Sequence, residues 1–382
     1  MIPYSRQKID NQDISSVKKV LKSNYLTTGP ETLNFENNVR KFLKCKYAIS
    51  TSSASAALHV SLMAIGFKKN DILWTTPITF TSTASAALHL GGKVDFVDID
   101  ENTFNISVSK LEKKLLQAKK KNKLPKLVIP VHLGGNPCDM KKIKHLSKKY
   151  GFKIIEDASH AFGSKIRNKQ IGNCQYSDIT VFSFHPVKII TTCEGGIATT
   201  KNKKLYETMR VLREHGIERN SQNLVNKKEG AWYYEHQLLG FNYRLSDVHA
   251  SLGNSQLKKV KKFVKVRNKI ANIYIKNFNK LKIQYQIIEK KNYCSYHLFI
   301  ILVPKMIHKK IFNFLRSKKF FVNIHYIPLF MHPIYNMKKS KYKKFQNSLN
   351  YYRSAISLPI YDGLKIDQQK KIINIISKFI KS

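Results

Sequence analysis

Seven short apolar runs recur between residues 47 and 200, and helical patterns lie between most of the early ones. The runs are Tyr47–Thr51, Ile72–Thr75, Val94–Asp98, Leu127–Val131, Lys153–Glu156, Ile179–Phe184 and Gly196–Thr200. Runs of this length bounded by turn residues read as buried strands. Between the first two, apolar positions 54, 57, 58, 62 and 65 fall on one helical face, and Gly66 ends the pattern. Strands alternating with helices predict an α/β fold with a mostly parallel sheet covered on both faces. Binding residues are then expected at the carboxyl ends of the strands.

The texture changes near residue 245. Leu245–Phe278 reads as one or two long helices, with Gly253-Asn254 as the kink. A strand (His297–Val303), a helix (Met306–Lys319), a second strand (Phe320–Tyr326) and a final helix (Asp367–Ile380) follow. This predicts a large domain over residues 1–255 and a smaller α+β domain over 256–382.

The 42% hydrophobic content is ample for such a core, and no apolar run reaches the roughly 18 residues of a membrane span. The start, MIPYSRQKID, lacks the apolar stretch of a secretory signal. Five cysteines at 45, 138, 174, 193 and 294 form no CxxC pair. That fits a reducing cytoplasm and argues against a disulfide framework or a zinc site.

The formal charge of +44 invites a nucleic-acid or anionic-membrane reading. Yet only ten of the 68 basic residues are Arg, and Asn, Ile and Tyr are abundant as well. Readers of phosphate and bases favour the rigid fork of Arg. Lysines spread along the chain point instead to an AT-rich genome, with runs such as Lys119–Lys121 and Lys258–Lys262 as solvated helix faces. Nucleic acid and membrane are therefore not the expected partners, although the charge suits an anionic small substrate.

Three local patterns carry chemistry. Ser183-Phe-His-Pro-Val-Lys188 follows an apolar strand, and Pro186 prevents the strand from continuing, so Lys188 stands just past a strand end. The small, turn-forming Thr191–Gly196 behind it lets backbone approach a ligand. Asp157 ends another buried strand, where an acid is costly without a cationic partner; a protonated pyridine is one such partner, and a helix cap is the alternative use. Ser52-Ser-Ala-Ser-Ala56 opens a helix and offers free N–H groups and hydroxyls to a phosphate; an ordinary Ser cap is again the alternative. Neither GxxxxGK[ST] nor GxGxxG occurs.

Taken in order, these patterns resemble the DegT/StrS family of sugar aminotransferases, across essentially the whole chain. The markers are Ser23–Gly29, Ser53-Ala-Ser55, Glu156-Asp-Ala-Ser-His160, Ser183–Lys188 with Glu194-Gly-Gly196, and Gly240-Phe-Asn-Tyr-Arg244. The resemblance implies the fold type I of pyridoxal-5′-phosphate (PLP) enzymes, the fold of aspartate aminotransferase. It makes Lys188 the lysine that carries PLP and Asp157 the partner of the ring nitrogen. Phe80 matches the aromatic stacked on the ring, Ala54, Ser55 and Ser183 the phosphate-binding positions, and His160 a further cofactor contact. Asn242 matches a residue that reaches the site from the partner subunit, which implies a homodimer with shared sites. The usual Ser-Gly-Thr cradle reads Ser-Ala-Ser here, as in relatives acting on sugar C4.

Ile2-Pro-Tyr4, Thr76–Thr79, Arg213–Gly216, Trp232-Tyr-Tyr234 and Asn323–Tyr326 resemble the C4 aminotransferases of pseudaminic acid biosynthesis. That subgroup implies a UDP-linked 4-keto-6-deoxy-N-acetylhexosamine as substrate and L-glutamate as donor. It also implies sugar-nucleotide contacts from Tyr4, Asn24, Tyr25, Leu26, Thr27, Ala54, Ser183, Asn242, Asn323, Ile324, His325 and Tyr326. Other nucleotide-linked keto sugars remain an alternative, and a sugar dehydratase would have His at position 188. A basic regulatory protein that merely keeps the fold would be colourless and would bind DNA with steep salt dependence.

Overall fold

A computed structural model describes residues 1–226 and 229–381. Its central sheet has seven strands: β1 (Tyr47–Thr51), β2 (Ile72–Thr75), β3 (Lys93–Phe96), β4 (Leu127–Ile129), β5 (Lys153–Asp157), β6 (Ile179–Ser183) and β7 (Gly196–Thr200). Their spatial order is β1-β7-β6-β5-β4-β2-β3. All pairs are parallel except those of β7, which runs antiparallel to both β1 and β6. The α/β architecture expected from the sequence, with a mostly parallel sheet, is thus present, with a smaller sheet region in the C-terminal part.

The sheet is covered on both faces because its inner strands bury both of their sides. Ile49, Val181 and Ala198 enter one buried cluster with Leu58 and Leu62 of the helix Ala54–Ala64. Their neighbours Ala48, Phe182 and Ile197 enter the opposite one with Phe35, Val39 and Leu43 of the helix Pro30–Leu43. Successive strand residues face opposite sides, so continuous apolar runs feed two cores.

Several boundaries depart from the sequence expectation. β4 stops at Ile129 because Pro130 has no N–H to continue the ladder. β5 extends one residue further, to Asp157. The expected kink at Gly253-Asn254 is absent: helices Asp247–Leu257 and Val260–Lys280 meet at Lys258-Lys259 instead. A Cβ on Gly253 would press on Phe35 and Thr192 at 2.7 Å, so this glycine serves close helix packing. Lys259 is not a solvated face residue; its Nζ lies 2.6 Å from Asp10 and 2.8 Å from Asp13.

In the C-terminal part, Phe299–Leu302 pairs with both Gln284–Tyr285 and Ala355–Leu358. Tyr274 and Phe278 of the long helix pack on this sheet together with Ile372 and Ile376 of the last helix. The expected strand Phe320–Tyr326 keeps only Phe320–Phe321, paired in parallel with Ile2–Pro3. Beyond it, Asn323 exchanges backbone hydrogen bonds with Ser357, and the chain turns toward the carboxyl ends of the large sheet.

Candidate active site

The parallel strands β1, β5 and β6 deliver their carboxyl ends to one cavity of about 560 Å³, within the usual range of ligand pockets. From β1 come Ser53, Ala54 and Ser55; from β5, Asp157, Ser159 and His160; from β6, Ser183, His185 and Lys188. Thr79 and Phe80 form one wall. Tyr4, Asn323, His325 and Tyr326 close the other.

Gly196 explains how β1 and β6 ends come so close. It begins β7, opposite both Thr51 and Ser183. A Cβ there would run into the Ser53 carbonyl and the Ala54 nitrogen. Glycine is therefore required for β7 to pass beneath the helix start. The helix itself is capped by Ser53, whose Oγ accepts from the Ala56 N–H at 3.1 Å and whose carbonyl accepts from Ala57 at 3.0 Å. The Ala54 and Ser55 N–H groups stay ahead of the intrahelical pattern, and both residues line the cavity, as an anion site needs.

Asp157 is 4% exposed. Its Oδ2 accepts from Thr83 Oγ1 at 2.6 Å and its Oδ1 from the Ser159 N–H at 3.1 Å. Among the described residues it forms no ion pair, so a buried carboxylate is left facing a cavity with no cation bonded to it. A protonated pyridine is the complement this placement lacks. Thr83 was not foreseen from sequence; its signal was the Thr79–Thr83 spacing of one helical turn behind Pro77, and the two hydroxyls lie 2.8 Å apart.

Lys188 is half-buried on the cavity floor. Burial pushes its amine down to about 8, while the Asp157 carboxylate pulls the other way. His160 and His325 are both held in the neutral form by burial, with the Lys188 charge acting in the same direction; His325 falls to about 3. The floor therefore concentrates its positive charge on one amine.

Other sequence-selected residues lie elsewhere in this chain. Ile324 lines a separate surface depression with Phe312 and Tyr352. Asn24, Tyr25, Leu26, Thr27 and Asn242 are exposed and outside the cavity. These five nevertheless belong to adjacent segments: Thr27 bridges to Ser246, and the Leu26 carbonyl accepts from the Asp247 N–H at 3.0 Å. The segment around Asn242 is fixed by its bridge to Glu214.

The sequence profile of the DegT/DnrJ/EryC1/StrS aminotransferases matches residues 7–377. The chain belongs to this family. A UDP-4-amino-4,6-dideoxy-N-acetyl-beta-L-altrosamine transaminase of Campylobacter jejuni is 38% identical over 97% of this chain and 95% of its own. The structure of Helicobacter pylori PseC, an aminotransferase of pseudaminic acid biosynthesis, matches with a TM-score of 0.89 at 29% identity, over 100% of this chain and 99% of that one. A proposed sugar aminotransferase of Streptococcus pneumoniae, solved in its PLP form, matches with a TM-score of 0.88 at 25% identity, over 100% and 98% of the two chains. As a member of the family, the protein is a PLP-dependent sugar aminotransferase. The helix start, the unpaired Asp157 carboxylate and Lys188 fit the phosphate, ring nitrogen and aldehyde of that cofactor in turn. No helix among the described residues is long and apolar enough to cross a membrane. No group of His, Cys, Asp and Glu among them is arranged to hold a metal.

Proposed function

We propose that the protein transfers the amino group of L-glutamate to C4 of a UDP-linked 4-keto-6-deoxy-N-acetylhexosamine, in pseudaminic acid or a related surface-sugar pathway. The observation that carries the reading is the convergence of Lys188, Asp157 and the Ser53–Ser55 helix start in one cavity, in a chain 38% identical to such transaminases.

When bound, PLP supplies an aldehyde that accepts amino groups and a ring that accepts electrons. Lys188 Nζ would anchor it and, when free, would serve as the base toward the donor's α-carbon. An amine near 8 is well placed for that work, since a useful fraction is neutral at cellular pH. Asp157 would hold a proton on the ring nitrogen as its anionic acceptor, and Thr83 and Ser159 keep the carboxylate oriented. The Ala54 and Ser55 N–H groups with the Ser55 and Ser183 hydroxyls bind the phosphate. Phe80 would lie against the ring, and Tyr4, Asn323, His325 and Tyr326 would contact the sugar nucleotide.

The exposed pair of segments at Asn24–Thr27 and Asn242 supports a dimer. Tyr25 and Leu26 are 57% and 49% exposed, large apolar side chains beside a polar segment that has no role in its own cavity. In this reading they complete the site of a second copy.

The test is incubation of the purified enzyme with the UDP-linked keto sugar and isotope-labelled glutamate, followed by mass measurement of the sugar nucleotide. Label in the sugar is the expected result. Oxoglutarate formation from glutamate with no label in this sugar would overturn the substrate assignment.

A further inference from the structure

His160 and Tyr326 come from distant parts of the chain and meet over the cavity: Tyr326 Oη lies 3.1 Å from His160 Nε2. The direction of that hydrogen bond can be worked out from the other ring nitrogen. His160 Nδ1 faces the backbone N–H of Gly134 at 3.3 Å. A backbone N–H only donates, so Nδ1 must present its lone pair. In the neutral ring the single proton is then on Nε2. Burial and the nearby Lys188 charge keep the ring neutral. Nε2–H therefore donates, and the Tyr326 oxygen accepts.

A phenol that accepts still has its own proton to give. Among the described residues, His160 is the one hydrogen-bond partner of the Tyr326 hydroxyl. Burial, with the charges of neighbouring acids, pushes the phenol well above its ordinary range, so the proton stays on oxygen at any working pH. Tyr326 lines the same cavity as Lys188.

The relay is rigidly held at its far end. Gly134 has φ +67°, and Gln286 Oε1 would lie 2.7 Å from any Cβ placed there. Gln286 Nε2 in turn donates to the carbonyls of Leu133 at 3.0 Å and Thr103 at 2.7 Å. The His297 ring packs on His160 with centroids 4.3 Å apart and fixes its plane.

We propose that Tyr326 is a hydrogen-bond donor of fixed polarity, its proton turned into the cavity by the Gly134–His160 relay, and that it is given to an oxygen of the bound sugar. His160 is then a positioning residue that acts through Tyr326. The choice of a sugar oxygen rests on the keto-sugar reading above; the polarity of the relay does not.

Two measurements separate those parts. Nitrogen NMR of the apoprotein carrying labelled histidine, with His160→Leu to assign the signal, reads the tautomer. Expected is a neutral ring protonated on Nε2; protonation on Nδ1, or a cationic ring at neutral pH, overturns the relay whatever the substrate. Calorimetry then compares binding of the UDP-linked 4-amino sugar and of UDP alone. Tyr326→Phe, which differs by one oxygen, is expected to bind the amino-sugar nucleotide about tenfold more weakly, with UDP binding unchanged. His160→Leu is expected to show a similar loss, with no further loss when added to Tyr326→Phe, and His160→Gln, which keeps an N–H donor, to recover part of it. Binding of Tyr326→Phe within twofold of wild type, or fully additive losses in the double variant, would overturn the role of Tyr326. Failure of the wild type to bind this sugar nucleotide more tightly than UDP would overturn the sugar as target and the substrate assignment, leaving the tautomer result to stand alone.

Discussion

Replacing Lys188 by Met is expected to stabilise the apoprotein while abolishing its activity. The folded protein holds the amine near 8 instead of its ordinary 10.5, because burial penalises the cation. The unfolded chain therefore binds this proton more tightly than the folded one. The cost to folding is full below the folded value and is relieved as pH rises from about 8 to about 10.5. At 1.36 kcal/mol per unit it comes to about 3 kcal/mol at pH 7, about 2 at pH 9 and under about 0.5 at pH 10.5. Met has a similar length and no charge, so Lys188→Met removes the penalty with little change in packing. The same shift has a chemical return. At pH 7.5 about a quarter of the amine is neutral, against about one part in a thousand for an ordinary lysine. The assay is urea unfolding of both proteins, stripped of PLP, at pH 7, 9 and 10. The expected result is a higher midpoint for Lys188→Met at pH 7 and a gap that narrows with pH, to under about 1 kcal/mol at pH 10. Equal midpoints at pH 7, or a gap that widens with pH, would refute the reasoning.

Asp157→Asn should bind PLP but convert it to the amine form with glutamate at least about tenfold more slowly, because an amide cannot stabilise a protonated ring nitrogen. Single-turnover absorbance reads the rate, and a value within threefold of wild type would remove Asp157 from that role. Mixed dimers test the shared site: Lys188→Ala and a disabling Asn242 variant, each inactive alone, should regain about a quarter of wild-type activity when co-refolded, since one site per heterodimer is then intact. Activity that stays at the parental level, with heterodimers confirmed by mass, would place Asn242 in its own chain's site.

Much of the architecture was legible because β1 to β7 are short apolar runs bounded by turns, a signal that survives in a single sequence. The ends of elements were less so. The helix break at Lys258-Lys259 carries neither Pro nor Gly and coincides with Lys259 pairing to Asp10 and Asp13, a contact across some 250 positions that no local pattern announces. Ala355–Leu358 was missed because four residues, three of them apolar, before a proline look like the edge of a loop, and only the pairing with Phe299–Leu302 makes them a strand. In the site, Lys188 and Asp157 were marked by following buried strands. Thr83 and His297 were not, since their parts depend on what they face: the Asp157 carboxylate and the His160 ring. Asn24–Thr27 and Asn242 illustrate a different limit. The family pattern singles them out, while their own chain leaves them on its surface.

The most direct measurement is borohydride reduction of the PLP-loaded enzyme followed by peptide mapping. The chain has 58 lysines, so the position of the label is a demanding choice. The expected result is loss of the visible absorbance with the pyridoxyl mass on the peptide containing Lys188, and none after prior incubation with glutamate. Label on another lysine, or a protein that takes up no cofactor, would contradict the assignment of the site.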